Sequence, residues 1–278
     1  MSEQLAQSAP EFVIHEDQTP RDRILAFFEQ DHDTHFFNPL EREDATDALK
    51  QEVERNIGFG RTIVFASGVY DFLHGNHRAF LLHTKIAAMP YHWNEKVAKQ
   101  PWHKLWEEMT EEQQTLETRR ALKANDLQLI VSVDGNDAVA ARKGNNPAKG
   151  SMPRPIYDWR TRARDIYSTR VKIGGIDGDV IHQVVNHVTI HDNQTPEFKG
   201  TPHQDIMDIA AHVDPEVWSI FYESEDIIEN IQTDPRFEHT QAVVLQGHDF
   251  YSDKLLGGTF STTRIAQRIG GVATNGVA

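Results

Sequence analysis

Two short, continuous apolar runs constrain the fold of this chain most strongly. They are Thr62 to Ala66 and Leu127 to Val133, and Gly68 breaks the chain after the first. A run of this length without polar alternation is typical of a strand buried on both faces, as in parallel sheets. Strands alternating with helical patterns then predict an α/β protein with a Rossmann-like parallel sheet flanked by helices.

The rest of the pattern completes a sheet of about five strands. Three further strands are predicted at 184–190, 218–221 and 242–245, and helices at 19–28, 44–56, 79–88, 104–123, 158–169 and 262–269. In such sheets ligands bind beyond the carboxyl ends of the strands. The loops after Ala66 and Val133 are therefore the expected places for a site.

The chain divides into a main domain and two additions. Residues 1–58 are predicted to be an N-terminal helical extension, and residues 59–278 the main domain, with a helical insertion at 90–123. The insertion carries Trp93, Trp102 and Trp106 among charged residues. These tryptophans are expected to pack against the N-terminal helices, or else to cover a substrate or a partner subunit.

Composition excludes several classes of function. Among 278 residues, 28 Lys and Arg stand against 42 Asp and Glu, a net charge of −14, which argues against a protein that coats nucleic acid. The absence of cysteine removes disulfides, thiolate zinc sites and cysteine nucleophiles. No apolar stretch is long enough for a membrane span, and residues 1–15 lack signal-peptide character, so a cytoplasmic location and no membrane partner are predicted.

Two histidines lie three residues apart at the start of the helix after the first strand. The segment is Gly68-Val69-Tyr70-Asp71-Phe72-Leu73-His74-Gly75-Asn76-His77. A helix N-terminus offers free backbone N–H groups and a positive dipole end, and two imidazoles at this spacing share one face. Such donors suit phosphoryl or nucleotidyl transfer. Ordinary helix-start or packing residues would show the same pair, and a metal pair would need a third ligand that the sequence does not reveal.

The segment from Gly68 to His77 resembles the G-x-F-D-x-x-H-x-G-H signature of the cytidylyltransferase-like nucleotidyltransferases. That family includes glycerol-3-phosphate and ethanolamine-phosphate cytidylyltransferases and the adenylyltransferase domain of ADP-heptose synthase. Val131 through Gly144 resembles its second strand and the loop ending in Lys-Gly, and Phe260 to Ile265 resembles its late I-S-T-T-x-I motif. The resemblance covers about residues 61–190 and 240–269.

The resemblance implies a mechanism in which a substrate phosphate attacks the α-phosphorus of a nucleoside triphosphate and pyrophosphate leaves. His74 and His77 would stabilise the transition state, and Lys143 would neutralise the triphosphate or the acceptor. Mg²⁺ would accompany the triphosphate. The implied nucleotide-binding residues are Ser67, Gly68, Val69, Tyr70, Asp71, Gly75, Asn76, Arg160 or Arg162, Ser261, Thr262 and Thr263.

Several of these residues have a simpler alternative. Asp71 could orient its loop instead of bearing on the metal, and Lys143 could be a surface charge. Arg160 and Arg162 compete for one role after Arg154-Pro155. Ser261-Thr262 could be an N-cap only. Lys85, two turns beyond the histidines, is expected to be solvated.

One departure from the family bears on function. The family has His-x-Gly-His, whereas here Asn76 occupies the glycine position. The predicted activity is transfer of CMP from CTP to a phosphorylated metabolite, with ATP as an alternative donor. Other hypotheses are a nucleotide-binding protein without turnover and a class I aminoacyl-tRNA synthetase-like protein, which the acidic composition and the missing K-M-S-K-S loop disfavour. A homodimer is the family expectation.

Overall fold

The fold is described from a computed structural model. It describes residues 35–89, 102–123, 126–143, 153–173, 180–192, 204–220 and 225–245. The chain separates into two compact units, 1–36 and 37–278. The helices predicted at 19–28 and 262–269 lie outside the described residues, and the boundary predicted at residue 58 stays a prediction.

The described elements alternate strands with helices. The strands are β1 (Phe36–Phe37), β2 (Thr62–Gly68), β3 (Leu127–Asp134), β4 (Arg170–Ile173), β5 (Val180–Gln183), β6 (His187–His191), β7 (Val217–Ile220) and β8 (Gln241–Val244). The helices are α1 (Ala45–Gly58), α2 (Gly75–Ala87), α3 (Trp102–Glu108), α4 (Glu111–Lys123), α5 (Asn136–Lys143), α6 (Trp159–Tyr167), α7 (Gln204–Val213) and α8 (Glu225–Thr233), with a 3₁₀ turn at Pro235–Phe237.

The main sheet has the order β1-β6-β3-β2-β7-β8. The pairings β6-β3, β3-β2, β2-β7 and β7-β8 are all parallel. The chain thus builds outward from β2 in one direction and then crosses to its other side, the order of a Rossmann-like fold. The predicted α/β class and its parallel sheet are confirmed, and each of the five predicted strands corresponds to one of these five parallel strands.

The two apolar runs are buried as their composition predicted. Every residue of β3 is buried, and so are Ile63 to Ala66 in the middle of β2. One face of the sheet is covered by α1, α7 and α8. The core there includes Phe65, Ile130 and Trp218, and Trp218 packs edge-on against Phe65. The sheet is therefore rigid where it carries the site.

Several elements differ from the predictions. The described part of the insertion, residues 102–123, contains two helices instead of one, because Thr110 and Gln113 form a reciprocal capping box that starts α4. Residues 136–143 were expected as a loop, yet they form α5. The helices α7 and α8 and the β4-β5 hairpin were not predicted.

The tryptophans of the insertion and Lys85 make contacts that the sequence did not predict. Trp102 and Trp106 pack on His83 of α2, where the Trp102 indole N–H donates to His83 Nδ1 at 3.2 Å. Their packing against the N-terminal helices, or over a substrate or partner subunit, stays a prediction, because the helix predicted at 19–28 and Trp93 lie outside the described residues. Lys85 was expected in solvent, but it is buried on α2, and burial lowers its pKa to about 8. The insertion therefore covers α2.

Candidate functional site

The site lies at the carboxyl end of β2, the central strand. Here β3 extends the sheet on one side and β7 on the other, so this is the point where the strand order reverses. Ligands of open α/β sheets bind in the crevice at such a point. Ser67 and Gly68 end the strand, and Val69 follows; all three are partly exposed.

Tyr70 turns the chain sharply after the strand. Its φ of +49° lies in the left-handed region, which a bulky residue adopts only when its surroundings hold it. The Tyr70 ring folds back over Gly68, where a Cβ would lie 3.0 Å from the ring. A side chain at position 68 would force the Tyr70 ring to shift, so glycine favours this turn. The Tyr70 ring in turn meets the His77 ring edge-on at 5.2 Å.

His74 and His77 form one stacked pair. Their ring centroids lie 3.8 Å apart with an interplanar angle of 18°. His74 is the N-cap residue of α2 in extended conformation, and its side chain does not cap the helix. Its Nδ1 atom is buried and bonds to no described residue. The pair predicted from spacing is thus brought together at a helix start.

Both imidazoles are neutral near pH 7. Burial lowers the pKa of His74 to about 4 and that of His77 to about 3, and the His74 charge lowers the pKa of His77 further. Nδ1 of His77 lies 2.8 Å from the carbonyl oxygen of Phe72, so it carries the hydrogen and donates it. The Nε2 atom of neutral His77 is then an acceptor. It becomes a donor only when the ring takes up a proton.

The N-terminus of α2 is not neutralised by its own sequence. Its first turn, which contains Gly75 and Asn76, holds no acidic residue. By contrast, Asp158 caps α6, and the carboxylate of Asp192 accepts from Ala138 N at 2.6 Å at the start of α5. The positive end of the α2 dipole is therefore available to a negatively charged ligand.

Asp71 holds a neighbouring loop. Its buried carboxylate accepts hydrogen bonds from Ile156 N at 2.8 Å and Tyr157 N at 3.0 Å, and Arg154 Nε forms a short ion pair with it. The two oxygens of a carboxylate can accept about four hydrogen bonds. The contacts with Ile156, Tyr157 and Arg154 already use three of these positions. The alternative that Asp71 orients a loop thus has direct support.

The two competing arginines occupy different environments. Arg162 is fully buried and donates to Val69 O at 2.7 Å, Tyr157 O at 3.0 Å and Asn136 Oδ1 at 3.0 Å. Arg160 is exposed, lies over the Trp159 ring and forms an ion pair with Glu41. Arg162 therefore contacts the β2–α2 loop, and Arg160 does not.

The other predicted residues lie on a different helix or outside the described chain. Lys143 is the last residue of α5. Ser261, Thr262 and Thr263 lie outside the described residues. Over the part of the chain that is described, no group of three or more His, Asp or Glu could hold a metal ion.

Sequence reasoning missed the partners of the site. Asn136 and Asp192 connect β3, β6 and the arginine that reaches Val69, yet neither lies in a recognisable motif. Asn136 is 26 residues from its partner Arg162, and Ala138 is 54 residues from Asp192. Pairings over such separations have no local pattern that a single sequence could reveal.

The comparisons with known proteins do not place the chain in a family. No protein-family model matches it, and no curated protein matches it. Within the described ranges, no helix has the length and apolar character needed to cross a membrane.

Proposed function

We propose that the protein is a nucleotidyltransferase of the cytidylyltransferase-like kind. It would transfer CMP from CTP to a phosphorylated small metabolite and release pyrophosphate. The observation that carries the proposal is the stacked His74–His77 pair at the start of α2, beside the point where the strand order reverses. The proposal includes the predicted cytoplasmic location and homodimer, without a nucleic-acid or membrane partner.

The arrangement supports in-line transfer by charge stabilisation. The first turn of α2 carries no acidic residue, and the two imidazoles stack on each other at this start of the helix. Once protonated, His77 Nε2 would donate to the α-phosphate, where negative charge develops as the acceptor phosphate attacks. Lys143 and the Ser261–Thr263 segment stay proposed contacts of the triphosphate.

In this proposal Arg162 and Asp71 support the backbone of the site. Arg162 fixes the carbonyl of Val69, and Asp71 fixes the segment at Ile156 and Tyr157. Both therefore hold backbone at or next to the β2–α2 loop. In this proposal they do not contact the nucleotide and act on it only through their electrostatic field.

Mg²⁺ is expected to arrive with the nucleotide. The described part of the chain offers no set of three carboxylate or imidazole ligands, so these residues would contribute little to its coordination. Triphosphate oxygens and water satisfy Mg²⁺ with few protein ligands. When bound, the ion would neutralise triphosphate charge.

Two alternatives keep specific support. ATP stays open as the donor because Asn76 occupies the position of the family glycine and adds a side chain there. Binding without turnover stays open for the same reason, since that side chain could block the close approach of a nucleotide to the backbone.

Pyrophosphate release tests the proposal. The protein is incubated with Mg²⁺, each of the four nucleoside triphosphates and a panel of phosphorylated metabolites. We expect release with CTP, and a fall of about 10²- to 10³-fold in His77→Ala, the usual effect of removing one charge-stabilising donor. His239→Ala is the matched control, because His239 is an exposed histidine paired with Asp214 before the amino end of β8.

Each result decides between the functions. Release with ATP alone would select the adenylyltransferase alternative. Triphosphate binding without release across the panel would select the non-enzymatic alternative. Full activity in His77→Ala would remove the role given to that residue.

A further inference from the structure

A buried chain of three polar side chains joins the ends of β3 and β6. Ser132 Oγ lies 2.6 Å from His191 Nδ1, and His191 Nε2 lies 2.7 Å from Asp134 Oδ1. Asp134 and His191 are register partners in the parallel pair. None of the three is more than 2% exposed. None of them was singled out by the sequence analysis.

The three side chains interrupt an apolar face of the sheet. Ser132 follows Ile130 by two residues on β3, so it projects from the same face, where Ile130 belongs to the core under α1 and α7. Buried polar groups persist when they are paired. His191 Nε2 makes a close ion-pair contact with Asp134 Oδ1. The Ser132 hydroxyl can donate to His191 Nδ1 or accept from it, according to the tautomer of the ring. The three side chains are thereby held against one another.

This order of Ser, His and Asp does not make a nucleophile. Ser132 is fully buried, so no substrate carbonyl or phosphorus could reach its Oγ. The arrangement must act through the backbone that it holds.

The end of β6 fixes the corner between β3 and α5. The backbone oxygen of His191 accepts from Gly135 N at 2.5 Å, and the next residue, Asp192, accepts from Ala138 N at 2.6 Å. A Cβ at Gly135 would lie 2.3 Å from the Asp192 side chain, so only glycine fits. The corner is thus held by the His191 ring, by backbone and by a helix cap.

The corner is in turn bonded to the candidate site. Asn136 Oδ1 at the start of α5 accepts from Arg162 Nη2 at 3.0 Å, and Arg162 Nη1 donates to Val69 O at 2.7 Å. Val69 begins the loop that carries His74 and His77. A continuous series of bonds therefore runs from His191 to the β2–α2 loop.

We propose that His191 is a positioning residue for the His74–His77 pair. Held between Ser132 and Asp134, its ring sets the β3–α5 corner, and Arg162 transmits that position to the β2–α2 loop. The inference rests on the proposed function only in that the loop is taken to bind a triphosphate. The mechanical coupling of His191 to the two imidazoles is independent of any ligand.

The first measurement needs no ligand. Ring ¹⁵N and ¹³C NMR signals of His74 and His77 are recorded in the full chain, in His191→Phe and in the control Thr189→Val. Thr189 lies on the same strand and face as His191, two residues earlier, and its buried hydroxyl bonds to no described residue. We expect shifted signals in His191→Phe and unchanged signals in Thr189→Val. Unchanged signals in both variants overturn the proposal.

The second measurement separates positioning from stability. The Kd for Mg²⁺–CTP and Mg²⁺–ATP is measured by calorimetry, and the unfolding midpoint is measured separately. We expect a Kd at least tenfold higher in His191→Phe and unchanged within twofold in Thr189→Val. A lowered midpoint with an unchanged Kd for the folded protein would make His191 merely structural and overturn the proposal.

Two further variants keep the test open if His191→Phe does not fold. His191→Gln keeps a polar side chain beside Asp134 and is expected to fall between wild type and His191→Phe. Asn136→Ala breaks the path in the middle, and its effect should not add to that of His191→Gln. Full additivity would overturn the coupling. If wild type binds no triphosphate, the proposed function fails, while the NMR comparison still decides the role of His191.

Discussion

At the residue scale, the site depends on backbone that only particular residues permit. The left-handed turn at Tyr70 places its ring against His77, and Gly68 makes room for that ring. The stacked pair His74–His77 follows from this turn and from the helix start. The residues that precede the histidines, Gly68 and Tyr70, therefore help to determine where the two imidazoles lie.

Triphosphate binding should take up a proton at His77. In the free protein burial holds the His77 pKa at about 3, so the ring is neutral. A bound triphosphate would raise this pKa, so affinity should fall as pH rises through the pKa of the complex, by up to about tenfold per pH unit. Calorimetry at pH 6, 7 and 8 in buffers of different ionisation enthalpy measures both the Kd and the proton uptake.

The control for this prediction is His77→Gln. The nucleotide titrates in the same way with both proteins, so the difference in slope isolates the imidazole. Equal slopes for wild type and His77→Gln would show that His77 stays neutral in the complex.

A buried hydroxyl on α2 offers a stability test of the same region. Thr84 is fully buried, and its Oγ1 bonds to no described residue. Thr84→Val keeps the shape and removes an unsatisfied polar group, so it should stabilise the protein by about 1 kcal/mol. Urea denaturation measures the change. Thr84→Ser, which keeps the hydroxyl and loses the methyl group, should destabilise; a stabilising Thr84→Ser would contradict the explanation.

At the element scale, the sequence predicted the strands better than the helices. The two apolar runs became β2 and β3 because burial on both faces demands unbroken apolar residues. The amphipathic helices α7 and α8 lie in a polar, acidic stretch that masked their apolar faces. The start of α5 is capped by Asp192, 54 residues from Ala138, so its helical character had no nearby signal.

The candidate site, too, was predictable from the sequence only in part. The His74–His77 pair was predictable because both residues lie in one helical turn. The choice between Arg160 and Arg162 was not, because it depends on which side chain meets Val69 and Asn136 in space. Local spacing identifies what one element presents; contacts between elements need the fold.

The loop at residues 154–157 should depend on Asp71. Asp71→Asn keeps the size of the side chain but loses the charge for Arg154, which is also largely buried, and turns an acceptor into a donor. Breaking a buried pair of this kind typically destabilises by about 3 kcal/mol. Chemical denaturation measures the loss. The control is Asp234→Asn, whose partner Arg236 is exposed, so its effect should be much smaller.

This variant also tests the metal alternative. If Asp71 only holds the loop, the Mg²⁺ concentration for half-maximal activity should be unchanged in Asp71→Asn. A large increase in that concentration would indicate that Asp71 contributes to Mg²⁺ binding.

At the scale of the whole molecule, three histidines are folded in as neutral groups around α2. Burial lowers the pKa of His74 to about 4, and those of His77 and His83 to about 3. The insertion helix α3 contributes to this by covering His83 with Trp102 and Trp106. The unfolded chain would bind protons at these positions near pH 6.5, the ordinary value for histidine.

The protein should therefore lose stability in mild acid. Between about pH 6.5 and the lowered pKa values the unfolded state binds more protons, so the free energy of unfolding rises with pH and reaches its full value above about 6.5. The buried His77 and His83 each contribute a slope of up to about 1.4 kcal/mol per pH unit within that window, and the partly exposed His74 contributes less. His83→Asn keeps an acceptor for the Trp102 N–H and does not titrate. Urea denaturation at pH 7, 6 and 5 should give a slope smaller by about one proton in this variant. Thr84→Val, which changes stability without a titrating group, should keep the wild-type slope; an unchanged slope in His83→Asn would mean that His83 does not resist protonation.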